Sequence, residues 1–328
     1  EGFTQNIVER QLDWRSLDDA QCEAILNQVM DQILPEHNHG ILLSSNRYQY
    51  LSKRLKRITG RAVWLLTDHI RRSQFNPIGH EISFGLKGTY PPIEIELPGG
   101  EKMLLEGRID RADICQLEDD FYINVIDYKS GVESFDLSDA WFGLKLQLLV
   151  YLEALLEQEQ RQAKGKARPG GIFYFRIDDP LIDTQDSLAE TIQNEIRKKL
   201  KLNGLVLKDV KLARCMDDKI SGWSEVLPLG ISDKNDSFYV KSSVLGEEEF
   251  FGLLAHVRQL VGRIGMEMLQ GNIRIEPTKK GIDTACKYCP YSGICQFDGR
   301  LEDNGYRIIP KLERDEVVKR LSKGKEEE

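Results

Sequence analysis

The alternation of apolar and polar positions in the middle of the chain predicts a β-hairpin. Residues 121–129 (FYINVIDYK) are rich in β-branched and aromatic side chains, and residues 102–115 supply the preceding strand. Because residues two apart on a strand share a face, we expect Asp127 and Lys129 to point the same way. Asp110 lies on the partner strand, so the hairpin is expected to bring two carboxylates and one lysine together.

Apolar residues at helical spacing predict helices on both sides of this hairpin. These helices are expected at 17–34, 45–73, 137–160, 187–202 and 247–270. Further strands are expected at 80–86, 92–97 and 172–177. Helices followed by an antiparallel group, a helix, a strand and more helices predict an α/β fold, in which helices flank a mixed sheet.

The composition is typical of a globular protein in a reducing compartment. The chain has 328 residues, of which 41% are hydrophobic and 30% charged, and no apolar run approaches a membrane span. No secretory signal opens it and its six cysteines do not resemble a disulfide scaffold, so we expect a cytoplasmic protein. It begins with Glu1 rather than Met, and we expect a fragment of something longer. The net charge of −8 does not indicate a nucleic-acid binder, although a basic groove can lie on an acidic protein.

The predicted hairpin carries the residue types of a metal-dependent phosphodiesterase. Two carboxylates, Asp110 and Asp127, can hold a hard divalent cation through oxygen ligands. Lys129 can orient a water or stabilise a developing negative charge, as metal-assisted hydrolysis requires. An Asp-x-Lys pair is more often found on a solvated strand face. Here Asp127-Tyr128-Lys129 ends an otherwise apolar strand, which favours the functional interpretation. No GxxxxGK[ST] motif is present, so no P-loop is expected in these residues.

A late cysteine group predicts a metal centre. Cys286, Cys289 and Cys295 follow the spacing Cys-x2-Cys-x5-Cys. Three thiolates around one centre suit zinc or an iron–sulfur cluster, and both normally require a fourth ligand. The spacing does not decide between the two metals. The remaining cysteines are isolated and are expected to be small buried side chains: Cys22, Cys115 and Cys215.

Three further features are weaker candidates for function. Gln147 and Tyr151 lie four apart on the helix expected at 137–160, on a face shared with Gly143 and Leu144, and could contact nucleic acid or support the metal ligands. On this evidence alone, a core helix with one polar residue is the favoured explanation. Glu81 could add a carboxylate near the metal, or lie at an ordinary strand edge. Residues 47–61 hold six cations and two tyrosines, which suits either a phosphate-tracking helix or a solvated cationic face.

In this order, the motifs resemble those of the RecB-like branch of the PD-(D/E)XK nucleases. More closely, they resemble the C-terminal nuclease region of the AddB subunits of bacterial AddAB helicase–nucleases. The likeness covers nearly the whole chain and rests on Gly107-Arg108-Ile109-Asp110-Arg111, Asp127-Tyr128-Lys129, Gln147 with Tyr151, and Cys286, Cys289 and Cys295.

The resemblance implies a restriction-endonuclease-like fold, with a mixed sheet flanked by helices and a C-terminal segment stapled by an iron–sulfur cluster. It implies a helical part at 1–79, a nuclease core at 80–275 with an insertion near 180–245, and a segment at 276–328 with the cysteines and a charged tail. An AddA-type helicase–nuclease subunit would be the partner in a heterodimer, and unwound single-stranded DNA the substrate, in double-strand break repair by homologous recombination.

The resemblance also assigns roles to the candidate residues. It implies Asp110 and Asp127 as Mg²⁺ (or Mn²⁺) ligands, Lys129 as the catalytic lysine, and the late cysteines as three ligands of a [4Fe-4S] cluster. The family's early metal-binding His and its first cluster cysteine have no obvious match, and His80 comes too late in the chain to replace that His. We expect both missing ligands upstream of Glu1.

Two other interpretations fit part of the pattern. A stand-alone RecB-like CRISPR-associated exonuclease has a similar cysteine tail, but the insertion at 180–245 argues against it. A catalytically inactive DNA-binding module with a metal-stapled end is opposed by the presence of Asp110, Asp127 and Lys129 together.

Overall fold

The structure, a computed structural model, describes residues 2–162, 165–184, 188–302 and 304–323. Most of the expected helices are confirmed, and side-chain caps define where two of them begin. Asp18 and Gln21 form a capping box at the second helix, and Ser45 caps the third. The α-helices are α1 (Gly2–Glu9), α2 (Asp19–Glu36), α3 (Asn46–Arg72), α4 (Leu137–Trp141), α5 (Gln147–Gln162), α6 (Ala189–Lys199), α7 (Val210–Met216), α8 (Glu247–Leu269), α9 (Ser292–Cys295) and α10 (Arg314–Lys323).

Six of the described strands form the central sheet, in the order β1-β4-β5-β6-β7-β11. The pairs β5–β6 and β7–β11 are parallel and the other neighbours are antiparallel, so the expected mixed sheet flanked by helices is confirmed. These strands are β1 (Asn76–Phe84), β4 (Gly107–Leu117), β5 (Asp120–Lys129), β6 (Ala167–Arg176), β7 (Asn203–Leu207) and β11 (Val244–Leu245).

Short strands form smaller sheets. The pair β2 (Ile93–Glu96) and β3 (Lys102–Leu105) stands apart from the central sheet. The three-stranded sheets are β8 (Gly222–Trp223), β9 (Gly230–Ser232) and β10 (Ser237–Phe238), and β12 (Thr278–Lys280), β13 (Asp283–Thr284) and β14 (Arg307–Ile308). The strand expected at 102–115 is therefore wrong as one element, because its first part pairs only with β2.

The single helix expected at 137–160 is also wrong. Gly143 (φ 85°) and Lys145 (φ 55°) adopt left-handed backbone conformations between α4 and α5, which a continuous helix does not tolerate. Gly143 and Leu144 lie in this connection and do not share a helix face with Gln147 and Tyr151. Apolar periodicity continues across the break, and for that reason the sequence did not reveal it.

The first strand begins earlier than the sequence suggested. The strand was expected at 80–86, yet β1 spans Asn76–Phe84. A register shift between Pro77 and Gly79 accommodates the proline, which has no amide hydrogen for a regular ladder. Helix α1 was not predicted, because it is short and lies at the start of the chain.

The chain divides into two compact units. Unit 1 holds residues 1–92, 106–135 and 151–247, and unit 2 holds residues 93–105, 136–150 and 248–328. The segment boundaries at 1–79, 80–275 and 276–328 stay a prediction, and the charged tail at 324–328 lies outside the described residues. No helix in the described part of the chain is both long and apolar enough to cross a membrane.

Candidate functional site

The central sheet places the predicted hairpin residues at one edge. β5 and β6 are parallel, so their carboxyl ends meet at the same edge of the sheet, where Lys129 is the register partner of Arg176. Their neighbour β7 is antiparallel to β6 and begins at this edge with Asn203 opposite Tyr174. The polar groups that end β5 therefore lie beside a second strand that also ends in a cation.

Asp110 is held against β5 by a backbone hydrogen bond. Its Oδ2 accepts the amide N–H of Tyr128 at 2.7 Å, and the residue is half-buried. The expected approach of Asp110 to the Asp127–Lys129 strand is therefore present. The group that orients the Asp110 carboxylate is a backbone amide. Unlike a lysine or arginine partner, it loses no side-chain conformational entropy when it forms the hydrogen bond.

Asp127 and Lys129 form an ion pair at the end of β5. Their Oδ2 and Nζ atoms are 2.6 Å apart, and Asp127 is 2% exposed. Burial raises the pKa of Asp127, the nearby Lys129 opposes that shift, and the negative charges of Asp110 and Glu133 add to it. Asp127 is thus a buried carboxyl group, and two further carboxylates repel its negative charge.

Such a pair of carboxylates matches what Mg²⁺ needs from a protein. Mg²⁺ is usually held by one or two carboxylates and keeps several waters or substrate phosphate oxygens. Asp110 and Asp127 supply two hard oxygen donors, and a bound cation would relieve their mutual repulsion. Among the described residues no group of three or more His, Cys, Asp or Glu side chains is arranged to hold a metal. The described residues therefore fit a Mg²⁺ site with two carboxylate ligands, Asp110 and Asp127.

A buried ion pair lies behind this site. Arg111 donates two hydrogen bonds to Asp113, from Nε and Nη2, each 2.7 Å long. Both side chains are buried, and the phenol of Tyr128 hydrogen-bonds Arg111. Burial raises the pKa of Tyr128 to about 12, so the phenol stays neutral. Tyr128 thus links Arg111 to Asp110, through its ring on one side and its amide on the other.

Glu81 and His80 take other partners. Glu81 forms an ion pair with Arg108 at 2.6 Å and adopts φ 53° within β1. Its register position lies between the pairs His80–Arg111 and Ile82–Ile109, opposite the stretch of β4 that contains Asp110. His80 stacks on Trp14, and burial together with Arg111 lowers its pKa to about 3. A role for Glu81 as a metal ligand stays a prediction.

Gln147 and Tyr151 lie in the same helix but in different units. Gln147 is the first residue of α5 and belongs to unit 2, whereas Tyr151 belongs to unit 1. Tyr151 packs edge-on against Phe84 with ring centroids 5.6 Å apart, and a Cβ at Gly107 would lie 3.0 Å from its ring. Tyr151 is therefore in contact with the strand that leads to Asp110. Its catalytic role, and that of Gln147, stay predictions.

The six cysteines divide as the sequence predicted. Cys22, Cys115 and Cys215 are buried, whereas Cys286 and Cys289 are half-buried and Cys295 is exposed; all six are free thiols. The late group supplies three soft donors within ten residues, the donor chemistry of zinc and iron–sulfur sites. The described residues do not gather the three thiols into one metal-holding group. Thiolates are the donor type that an iron–sulfur cluster requires. A cluster ligated by four cysteines would need one more of them.

The basic helix is confirmed as part of α3, but carboxylates pair with several of its cations. Lys56 lies 2.5 Å from Asp31, and Arg57 and Arg61 both pair with Asp179. Each pair reduces the positive charge available to a phosphate backbone. A nucleic-acid role for residues 47–61 stays a prediction.

Sequence reasoning missed a cationic cavity beside Lys129. The cavity has a volume of about 300 Å³, and its lining includes Lys129, Glu133, Arg176, Lys198, Lys199 and Lys201. One signal was available: Arg176 ends a largely apolar strand just as Lys129 does. The lysines come from α6 and the following turn, and only the tertiary fold brings them to the sheet edge.

Known proteins place the chain in a family. A model of the PD-(D/E)XK nuclease superfamily matches residues 5–296. The chain belongs to this superfamily. The match includes the three candidate residues of the hairpin, Asp110, Asp127 and Lys129.

Curated relatives of this superfamily member carry a more specific name. Two proteins named as the B subunits of an ATP-dependent helicase/deoxyribonuclease are similar over nearly the whole chain. The one from Alkaliphilus metalliredigens is 50% identical over 98% of the chain, and the one from Alkaliphilus oremlandii is 49% identical over 99%. A protein of the same name from a Thermoanaerobacter species is 44% identical over 94%. The chain spans 28% of the length of each Alkaliphilus relative.

Proposed function

We propose that this chain is the nuclease region of an AddAB-type helicase–nuclease and hydrolyses phosphodiester bonds of unwound single-stranded DNA. The observation that carries the proposal is the Asp127–Lys129 ion pair at the end of β5, with Asp110 hydrogen-bonded to the same strand. The superfamily match and the name of the similar proteins support it. In the cell, the chain would act in the cytoplasm with an AddA-type subunit, in double-strand break repair by homologous recombination.

Each residue has a role in the proposed reaction. Asp110 and Asp127 would hold Mg²⁺ (or Mn²⁺), which supplies an activated water and neutralises charge on the phosphate. Lys129 would donate hydrogen bonds to the attacking water or to the phosphoryl oxygens, where negative charge develops. The Tyr128 amide keeps Asp110 in place, and the Arg111–Asp113 pair supports Tyr128.

Gln147, Tyr151 and the late cysteines complete the proposal. Gln147 and Tyr151 would assist the reaction from α5. Cys286, Cys289 and Cys295 would supply three ligands of a [4Fe-4S] cluster, with the fourth cysteine outside this chain.

Cleavage of end-labelled single-stranded DNA tests the nuclease proposal. The chain alone would lack the metal ligand expected upstream of Glu1, so the assay uses protein extended at its N-terminus to include that ligand. We expect this protein to release nucleotides with Mg²⁺ or Mn²⁺, and EDTA, Asp110→Asn or Lys129→Ala to reduce the rate at least about a hundredfold. Lys166→Ala is the matched control, because Lys166 is an exposed lysine just before β6 begins, away from its carboxyl end. Full activity in EDTA, or in the Lys129→Ala variant, would rule out the assignment.

Metal analysis tests the cluster separately. Protein purified without oxygen should contain iron and acid-labile sulfide and absorb visible light. A colourless protein with stoichiometric zinc would contradict an iron–sulfur cluster and leave the nuclease proposal intact.

A further inference from the structure

The cavity beside Lys129 has a charge opposite to that of the chain as a whole. The chain has 53 acidic and 45 basic residues, whereas the charged residues that line the cavity, among those the structure describes, are five cations and the carboxylate of Glu133. Its volume of about 300 Å³ lies at the small end of the range for ligand sites. A concave site of this composition attracts anions even on an acidic protein.

Two of the cavity lysines donate to neutral partners. Lys199 Nζ donates to the carbonyl of Leu181 at 2.6 Å, and Lys201 Nζ donates to the carbonyl of Ser224 at 2.8 Å. A carbonyl orients an ammonium group without cancelling its charge. Burial lowers the pKa of Lys201, with Asp217 opposing, so a nearby anion would stabilise its charged form.

Two further cations, Lys198 and Arg176, can exchange their partners for a phosphate. Lys198 pairs with Glu195 at 2.7 Å, and both side chains are exposed. Arg176 pairs with Asp178 close to the surface. Ion pairs as exposed as these contribute little to stability, so they can be exchanged at small cost.

An exposed aromatic pair lies next to the cavity. Trp223 is 49% exposed and Tyr239 36%, and their ring centroids are 5.5 Å apart. Gly230 lies directly beneath both rings, since a Cβ there would approach each of them closer than 3.0 Å. Lys201 joins the two features: it lines the cavity, and its Nζ lies 5.6 Å from the centroid of the Trp223 ring.

We propose that the cavity and the Trp223–Tyr239 pair form one path for single-stranded DNA, leading to the site at the end of β5. Backbone phosphates would occupy the cationic cavity, and bases would stack on the two rings. A cationic groove beside exposed aromatic rings is the general way in which proteins bind single strands without reading sequence. The inference rests on the proposed function, because it assigns the strand that the nuclease would cut.

Equilibrium binding in EDTA tests the path without cleavage. The probes are a fluorescein-labelled 20-nucleotide oligo-dT and an abasic oligonucleotide of the same length, titrated with the 328-residue chain. Trp223→Ala should weaken oligo-dT binding at least about fivefold and leave abasic binding unchanged, because only bases stack. The double variant Lys198→Gln/Lys199→Gln should weaken both and lower the salt dependence by about 1.4 in log–log slope.

Two matched variants control for general surface effects. Phe251→Ala removes another exposed aromatic ring, and Lys211→Gln removes another exposed cation; neither residue lines the cavity. Both should bind like the unchanged chain. Thermal unfolding of each variant shows whether a loss of binding reflects a loss of folding.

The outcomes separate this inference from the proposed function. No binding by the unchanged chain, equal losses with both probes for Trp223→Ala, or no effect of either test variant would overturn the path, even if the chain cuts DNA. Normal binding with the expected losses, but no cleavage with Mg²⁺, would keep the path and contradict the nuclease.

Discussion

At the scale of single residues, the surroundings of Asp127 disfavour its ionised form. It is buried, and the charges of Asp110 and Glu133 act in the same direction as burial on its pKa. Only Lys129 favours the ionised form among the influences identified. Burying such a carboxylate lowers the free energy of unfolding of the chain. It is expected at a site where binding of a cation releases more free energy than this burial costs.

This conflict predicts opposite effects of Asp127→Asn with and without metal. In EDTA the variant should unfold at a temperature no lower than the unchanged chain, because a neutral amide avoids the burial of charge. With Mn²⁺ at about 100 times its dissociation constant, the unchanged chain should gain about 2.7 kcal/mol, and the variant should gain little. Differential scanning calorimetry measures both. An equal gain for the two proteins would show that Asp127 does not bind the metal.

The buried pair behind the site gives a second prediction at this scale. Arg111→Met leaves the Asp113 carboxylate buried without the guanidinium, and should lower the free energy of unfolding by about 3–5 kcal/mol. The double variant Arg111→Met/Asp113→Leu should recover most of this loss, because no unpaired charge remains. Urea unfolding tests both variants. A double variant as unstable as the single one would show that the pair acts through packing and not through charge.

At the scale of elements, the sequence could predict the hairpin and the strands at 80–86 and 172–177, but not which strands pair beside the hairpin. The period of two along a strand was enough to place Asp127 and Lys129 on one face. Arg176 comes from a strand that pairs in parallel with β5, and such pairing joins segments far apart in the sequence. Helix α5 begins only at Gln147, because Gly143 and Lys145 interrupt a periodicity that continues through them.

Contact between α3 and β6 creates a pH-dependent stability. His69 on α3 packs edge-on against Phe175 with ring centroids 5.8 Å apart, and both of its ring nitrogens are buried with no hydrogen-bond partner in the described part of the chain. Burial and the nearby Arg111 lower its pKa from 6.5 to about 3. Between these values the unfolded chain binds one proton that the folded chain does not bind. The free energy of unfolding therefore falls as the pH drops below about 6.5.

Replacing His69 should remove that part of the acid sensitivity. Between pH 6.5 and pH 5 the folded state of the unchanged chain should lose about 1.6 kcal/mol more than that of His69→Leu. Urea unfolding at the two pH values gives the difference, and His39→Gln in an exposed turn is the control. Identical pH dependence in His69→Leu and the unchanged chain would contradict the low pKa of His69.

At the scale of the whole molecule, the segment with the late cysteines has no core of its own. None of the described residues from Met266 to Ile308 is buried, and the next buried side chain is Ile309. Short strands, the 3₁₀ helix Ala285–Tyr288 and the single turn of α9 provide its regular structure. A segment that buries so little apolar surface cannot offset its loss of conformational entropy, and small units of this kind usually need a metal or disulfides. All three late cysteines are free thiols, and under the proposed function a metal bound by them would stabilise the segment.

Limited proteolysis tests this dependence on a metal. After removal of the metal by a chelator, or in Cys286→Ser/Cys289→Ser, trypsin should cut first at basic residues of this segment, such as Lys279, Lys287 and Arg300. The strands around Asp110 and Asp127 should stay intact, because their residues are buried in the central sheet. Cys22→Ser is the control, since Cys22 is a buried cysteine outside the group. Mass spectrometry of the fragments locates the cuts. A segment equally resistant with and without metal would show that the cysteines do not stabilise it through a cluster.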